Sequence, residues 1–215
     1  MQKEFKHIIN QFREDESSLN KIIVSVFIKS NRIKVKNNFL IKSLLISDNS
    51  PLSKYITHAE INFSFDDLIE AFELAIPTKE KVINGAVYTP NYIKNFIVEH
   101  SLKMLRKEHH SILAADIACG CGAFLFTLAS KLKAETEKPF YQIFKDNIFG
   151  VDISKSSIKR TQILLSILAL ANGEDRKEFM FNLHCANALS FDSLRHEKRI
   201  KANNGFDLVV GNPPY

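Results

Sequence analysis

The sequence predicts an α/β fold, a parallel sheet wound with helices, preceded by a mostly helical N-terminal region. Three observations carry the expectation. An apolar run over residues 112–118 holds an acid, Asp116, and meets a pair of glycines, Gly120 and Gly122, at once. A second apolar run, residues 147–153, ends in an acid, Asp152, and leads into a long stretch of helical spacing. Two more apolar runs, 179–185 and 206–211, are each followed by a short polar turn. Strands alternating with helices are the pattern of βαβ units and a parallel sheet. The division is placed at residues 1–84, the helical region, and 85–215, the α/β region.

Within the first region, residues 65–76 have helical spacing, Ser64 stands where an N-cap belongs, and Pro77 closes the element. Residues 39–46 are apolar and read equally as helix or strand. The stretch 22–28 is too short and too closely flanked by lysine to span a membrane. Nine of the 29 Lys and Arg fall in residues 1–45 against four acids, a local excess equal to the net charge of +5. Such a segment is either a solvated face or a contact for phosphate backbone.

The second region opens on Gly85-Ala86-Val87-Tyr88-Thr89-Pro90. Thr89 suits an N-cap and Pro90 a first helical position, starting a helix with Ile93, Phe96, Ile97 and Leu105 on its apolar side. A helix start attracts anionic groups. His109 and His110 fall at a helix end, a surface position rather than a catalytic one. After the first strand, Gly120 and Gly122 let the chain turn sharply and let a ligand approach the backbone, while the next helix presents N–H groups at its start. Residues 131–140, charge-rich with one proline, read as a surface connection. Asp152, at the tip of the second strand, is placed to accept hydrogen bonds from two ribose hydroxyls, because an ionised carboxylate only accepts. The helix expected over 154–171 has Ile158, Ile163, Leu164, Ile167, Leu168 and Leu170 on its apolar face. Asn187 follows the third strand. The fourth leads directly into Asn212-Pro213-Pro214-Tyr215, a polar loop at the carboxyl edge of the sheet, where open α/β folds place their chemistry.

Taken in order, the Tyr-Thr-Pro element, the glycine loop, the acidic strand tip, the polar third turn and the Asn-Pro-Pro-Tyr loop resemble the amino-methylating DNA methyltransferases. The arrangement is similar to their gamma class, which includes type I modification subunits and fused restriction-modification enzymes. The resemblance covers residues from about 85 to 215. It implies a Rossmann-like methyltransferase sheet that uses S-adenosylmethionine. It implies that Tyr88, Thr89, Pro90, Asp116, Ala118, Gly120, Gly122, Asp152, Asn187 and Asn212 surround that cofactor. Asn187 would bond the adenine amine of the cofactor, although the family usually has Asp there; Ile117 and Cys121 also depart from its usual Pro and Ser.

For the reaction, the resemblance implies a target adenine swung out of the duplex. Tyr215 would stack on it, and the Asn212 side-chain oxygen and the Pro213 carbonyl would accept from its exocyclic amine, with Pro214 completing the loop. No metal is called for. Implied partners are double-stranded DNA and a specificity subunit, or a fused recognition or endonuclease domain, in the cytoplasm and away from membranes. Such sheets continue past a fourth strand, so the chain reads as an N-terminal fragment, truncated after the fourth strand and not expected to methylate DNA substantially by itself. Two other readings stay open: a methyltransferase acting on a protein glutamine or on RNA, and a non-catalytic, methylase-like DNA-binding or assembly subunit. Three cysteines, Cys119, Cys121 and Cys185, are too few for a disulfide framework and too oddly spaced for a four-ligand zinc site.

Overall fold

The computed structural model describes residues 1, 3–56, 62–77, 89–190 and 197–213. The chain forms two compact units, one of residues 1–88 with 166–178, the other of residues 89–165 with 179–215. Residues 166–178 thus join the first unit although they follow much of the second in sequence.

The first unit is built from α1 (Lys3–Phe12), α2 (Glu16–Ser30), α3 (Phe39–Leu44) and α4 (Phe65–Leu74). Helix α2 is apolar around most of its circumference and correspondingly buried, with Leu19, Ile22, Ile23 and Val24 fully enclosed. Phe63 sits edge-on to Phe5 and Phe27, with ring centroids 5.0 and 6.0 Å away. Ser64 and Asp67 make a reciprocal capping box at the start of α4, as the serine's position foretold. The ambiguous stretch 39–46 is helical over Phe39–Leu44, because the Asn38 side chain accepts from the Ile41 N–H and nucleates the turn.

The second unit holds a four-stranded parallel sheet of β1 (Ala114–Asp116), β2 (Ile148–Asp152), β3 (Asn182–Cys185) and β4 (Leu208–Val209), in the order β3-β2-β1-β4. Its helices are α5 (Asn91–Met104), α6 (Ala123–Thr136), α7 (Phe140–Asp146), α8 (Lys155–Ala171) and α9 (Lys198–Ala202), with α8 running on into the first unit. Strands β1 and β2 are buried on both faces, as central parallel strands are. The chain steps outward from β1 to β2 to β3 and then returns to the other side of β1 for β4. Between β1 and β4 the strand order reverses, and in open α/β sheets ligands bind outside the carboxyl ends of the strands at such a point.

Two expectations are corrected. Residues 131–140 are not a loose surface connection: α6 continues to Thr136, Glu137 turns through a left-handed conformation at φ 56°, and α7 starts at the buried Phe140. On α5 the buried face is Lys94, Val98 and Leu102, whereas Phe96 is 61% exposed. Lys94 is buried whole at 1% exposure, so the polar label on residue 94 concealed the true face.

Candidate functional site

The carboxyl edge of the sheet is held together by bonds between distant segments. Gly120 and Gly122 adopt positive φ angles of 52° and 89°, values that L side chains rarely take. Gly122 is the N-cap of α6, and a Cβ there would lie 2.8 Å from the Thr161 methyl. The Thr161 hydroxyl donates to the Gly120 carbonyl at 2.9 Å, and the Gly120 N–H donates to Asp152 Oδ2 at 2.8 Å. The other Asp152 oxygen accepts from the Ser154 N–H at 2.8 Å. The glycine turn is therefore clamped between the tip of β2 and the helix after it. A carboxylate has about four lone-pair sites, so Asp152 retains acceptor capacity beyond these two bonds.

Asp116 lies at the tip of β1, is 2% exposed and accepts from the Ala118 N–H at 3.1 Å. Burial pushes its carboxyl up to about 7; the Ala118 bond opposes the rise and the Asp152 charge adds to it. A Cβ on Gly211 would come within 2.6 Å of Asp116 Oδ1, so the chain enters the Asn212 loop by passing close over the buried acid. Burial, with the charges of Asp116 and Asp152, holds the Cys119 thiol well above its ordinary range, so it stays protonated and unreactive.

Asn212 Nδ2 donates to the Thr89 hydroxyl at 3.2 Å. The start of α5 and the loop after β4 are thereby joined. Helix α5 begins at Asn91 with Pro90 as its N-cap and no side-chain cap bond, one residue later than expected, which leaves Thr89 to pair with Asn212 instead of capping. Asn187 is exposed after β3, its Oδ1 accepting from the Leu189 N–H at 3.0 Å. Tyr88, Pro214 and Tyr215 lie outside the described residues; Pro213 is exposed at the loop.

The structure thus pairs Asp116 with Ala118, Gly120 with Asp152, and Thr89 with Asn212, sets Gly122 against Thr161, and places Asn187 after the tip of the strand beside β2. Sequence reading missed Thr161, which locks the glycine turn, and gave no role to two exposed apolar side chains just past the acidic strand tips, Ile117 at 37% and Ile153 at 62%. An apolar residue directly after a strand-tip acid was the available signal. No group of three or more metal-ligating side chains occurs among the described residues. No helix among them is long and apolar enough to cross a membrane.

The fold recurs in solved structures. A DrdV–DNA complex superimposes with a TM-score of 0.60 at 18% identity, over 96% of this chain and 24% of that one. The type IIG restriction endonuclease BpuSI does so with a TM-score of 0.57 at 16% identity, over 98% of this chain and 26% of that one. At these identities the likeness is one of fold, and the chain spans about a quarter of the length of each. No curated protein matches in sequence. A family model described as N-6 DNA Methylase matches residues 64–215, well over half of the chain and beginning ahead of the motifs, at the cap of α4.

Proposed function

We propose, because the chain belongs to the N-6 DNA methylase family, that it carries the cofactor site and catalytic loop of an enzyme methylating the exocyclic amine of adenine in double-stranded DNA. S-adenosylmethionine is the methyl source this site suits: a methyl carbon on a sulfonium that leaves as a neutral thioether. The residues at the sheet edge fit its parts. The glycine turn offers close backbone approach, and Asp152 has spare acceptor sites for two ribose hydroxyls. Ile153 is an exposed apolar surface beside that acid, suited to a purine face, and Asn187 supplies an acceptor for the adenine amine. The start of α5, with Tyr88, Thr89 and Pro90 ahead of it, suits the methionine carboxylate.

The observation that carries the proposal is the orientation of the Asn212 amide. Its nitrogen is committed to Thr89, and its oxygen has no hydrogen-bond partner among the described residues, so the oxygen is the atom left to accept from a substrate amine. In this reading the Pro213 carbonyl accepts a hydrogen bond from the second N–H of that amine and Tyr215 stacks on the extruded base. The nitrogen lone pair is then held toward the methyl group, and orientation supplies most of the rate gain. A specificity subunit, or a recognition or endonuclease domain in the same polypeptide, and a cytoplasmic location belong to the same proposal.

The test offers the protein labelled S-adenosylmethionine with duplex DNA, RNA and a glutamine-bearing protein. N6-methyladenine in the duplex, lost in Asn212→Ala while cofactor binding persists, supports the assignment. Label on RNA or on glutamine alone contradicts it.

A further inference from the structure

From residue 17 to residue 47 the chain carries six Lys and Arg and no Asp or Glu. The structure concentrates part of that charge in the loop between α2 and α3. Burial alternates along it: Arg32, Lys34 and Lys36 are exposed, with Ile33 and Val35 half-buried between them. Alternate residues of such a segment stand at most about 7 Å apart. Arg32, Lys34 and Lys36 thus follow one another as a short row of exposed residues along the loop.

The row has a built foundation. The half-buried Asp175 accepts from the backbone N–H groups of Lys36 at 2.6 Å, Asn37 at 3.0 Å and Asn38 at 2.9 Å. Asn38 Nδ2 donates to the Arg176 carbonyl, and the Phe39 N–H to the Lys177 carbonyl. Burial disfavours the Asp175 charge, but the three N–H donors outweigh it and hold the carboxyl below its ordinary range. An acid inside a basic surface is therefore directed at backbone donors, not at the lysines. Lys42 Nζ donates to the Lys36 carbonyl at 3.1 Å, and beside these groups Phe39 is 62% exposed. Arg176 and Lys177 are exposed on the segment opposite the loop; Glu174 and Glu178 flank them and leave the surface net positive.

We infer that this stapled loop, Arg32, Lys34 and Lys36 with Lys42 and Phe39, is a second DNA-contact surface that grips the phosphate backbone of duplex DNA independently of sequence. The inference rests on the DNA reading given above. Phosphate contacts position a protein on a duplex without reading bases, and cations on a backbone fixed beforehand lose less entropy on binding than cations on a loose one. Phe39 adds an apolar contact suited to a sugar, which a free phosphate ion would not engage.

Fluorescence anisotropy of the 215-residue chain with a labelled duplex, across a salt series, tests this. Lys34→Ala/Lys36→Ala is compared with Lys198→Ala/Lys201→Ala, a double variant of equal charge loss on α9, and S-adenosylmethionine binding is measured in parallel. Loss of two phosphate contacts lowers the slope of log affinity against log salt by about 2 and weakens binding roughly tenfold or more at moderate salt, while the α9 variant and cofactor binding stay close to the parent. Equal loss in both variants, no change in the loop variant, or binding to phosphatidylserine vesicles without binding to DNA overturns the inference. Cofactor binding reports separately on the catalytic assignment, so failure of one does not pass for failure of the other.

Discussion

Thr89 and Asn212 stand 123 positions apart and meet through a 3.2 Å hydrogen bond from the asparagine amide to the threonine hydroxyl. The bond fixes which atom of Asn212 remains for a substrate. Replacing Thr89 by Val removes the acceptor and lets the amide turn. One hydrogen bond contributes about 1 kcal/mol, which is roughly five- to tenfold in rate. Methyl transfer by the protein is expected to fall by that much in turnover, and Thr89→Ser to restore it. A Thr89→Val variant that loses cofactor affinity and keeps turnover would assign Thr89 to the cofactor alone.

Gly122→Ala is expected to destabilise the second unit. A side chain at φ 89° costs about 1–3 kcal/mol, and here the added Cβ also meets the Thr161 methyl at 2.8 Å. Thr161→Ser removes that methyl while keeping the hydroxyl that binds Gly120. Denaturant unfolding should show the double variant recovering part of the loss, with the backbone strain remaining. Full recovery would mean that the left-handed turn carries no cost.

Asp116 makes stability fall with rising pH. Its folded-state carboxyl is raised to about 7 from an ordinary value of 3.8, so between those values the native chain holds a proton that the unfolded chain has released. Its contribution is complete below about pH 4 and is lost as pH rises to about 7, on the order of 4 kcal/mol across the range. Asp116→Asn cannot ionise. The stability of the variant relative to the parent should rise between pH 5 and pH 8 in parallel unfolding titrations; a flat difference would place the ionisation of Asp116 outside that range.

How much was legible depends on the range of the interaction. Gly120, Gly122, Asp152 and the loop after β4 could be read because each is a local pattern, a turn or strand end followed by a characteristic residue. The pairing of Thr89 with Asn212 could not, since nothing near either residue specifies a partner so far along the chain. The same holds for Asp175, whose carboxylate binds backbone N–H groups of residues 36–38 and helps to tie 166–178 to the first unit. Helix α7 was missed because its predecessor ends in a charged, left-handed residue, Glu137, and Pro139 reads as a breaker although it serves as the N-cap. Phe96 was assigned inward on residue type, and the buried stem of Lys94 shows how residue type misleads on a helix face.

The glycine turn and Asp152, already bonded to each other, are expected to bind a nucleoside as one unit. The most direct measurement is a calorimetric titration of the folded 215-residue chain with S-adenosylmethionine, beside Asp152→Ala, after both show a cooperative thermal transition. The alanine removes the acceptor for the Gly120 N–H and for the ribose together. Saturable one-to-one binding by the parent is expected, with a loss of affinity of at least about tenfold in the variant, the equivalent of one charge-assisted hydrogen bond. No binding by a well-folded parent, or equal binding by the variant, would contradict it.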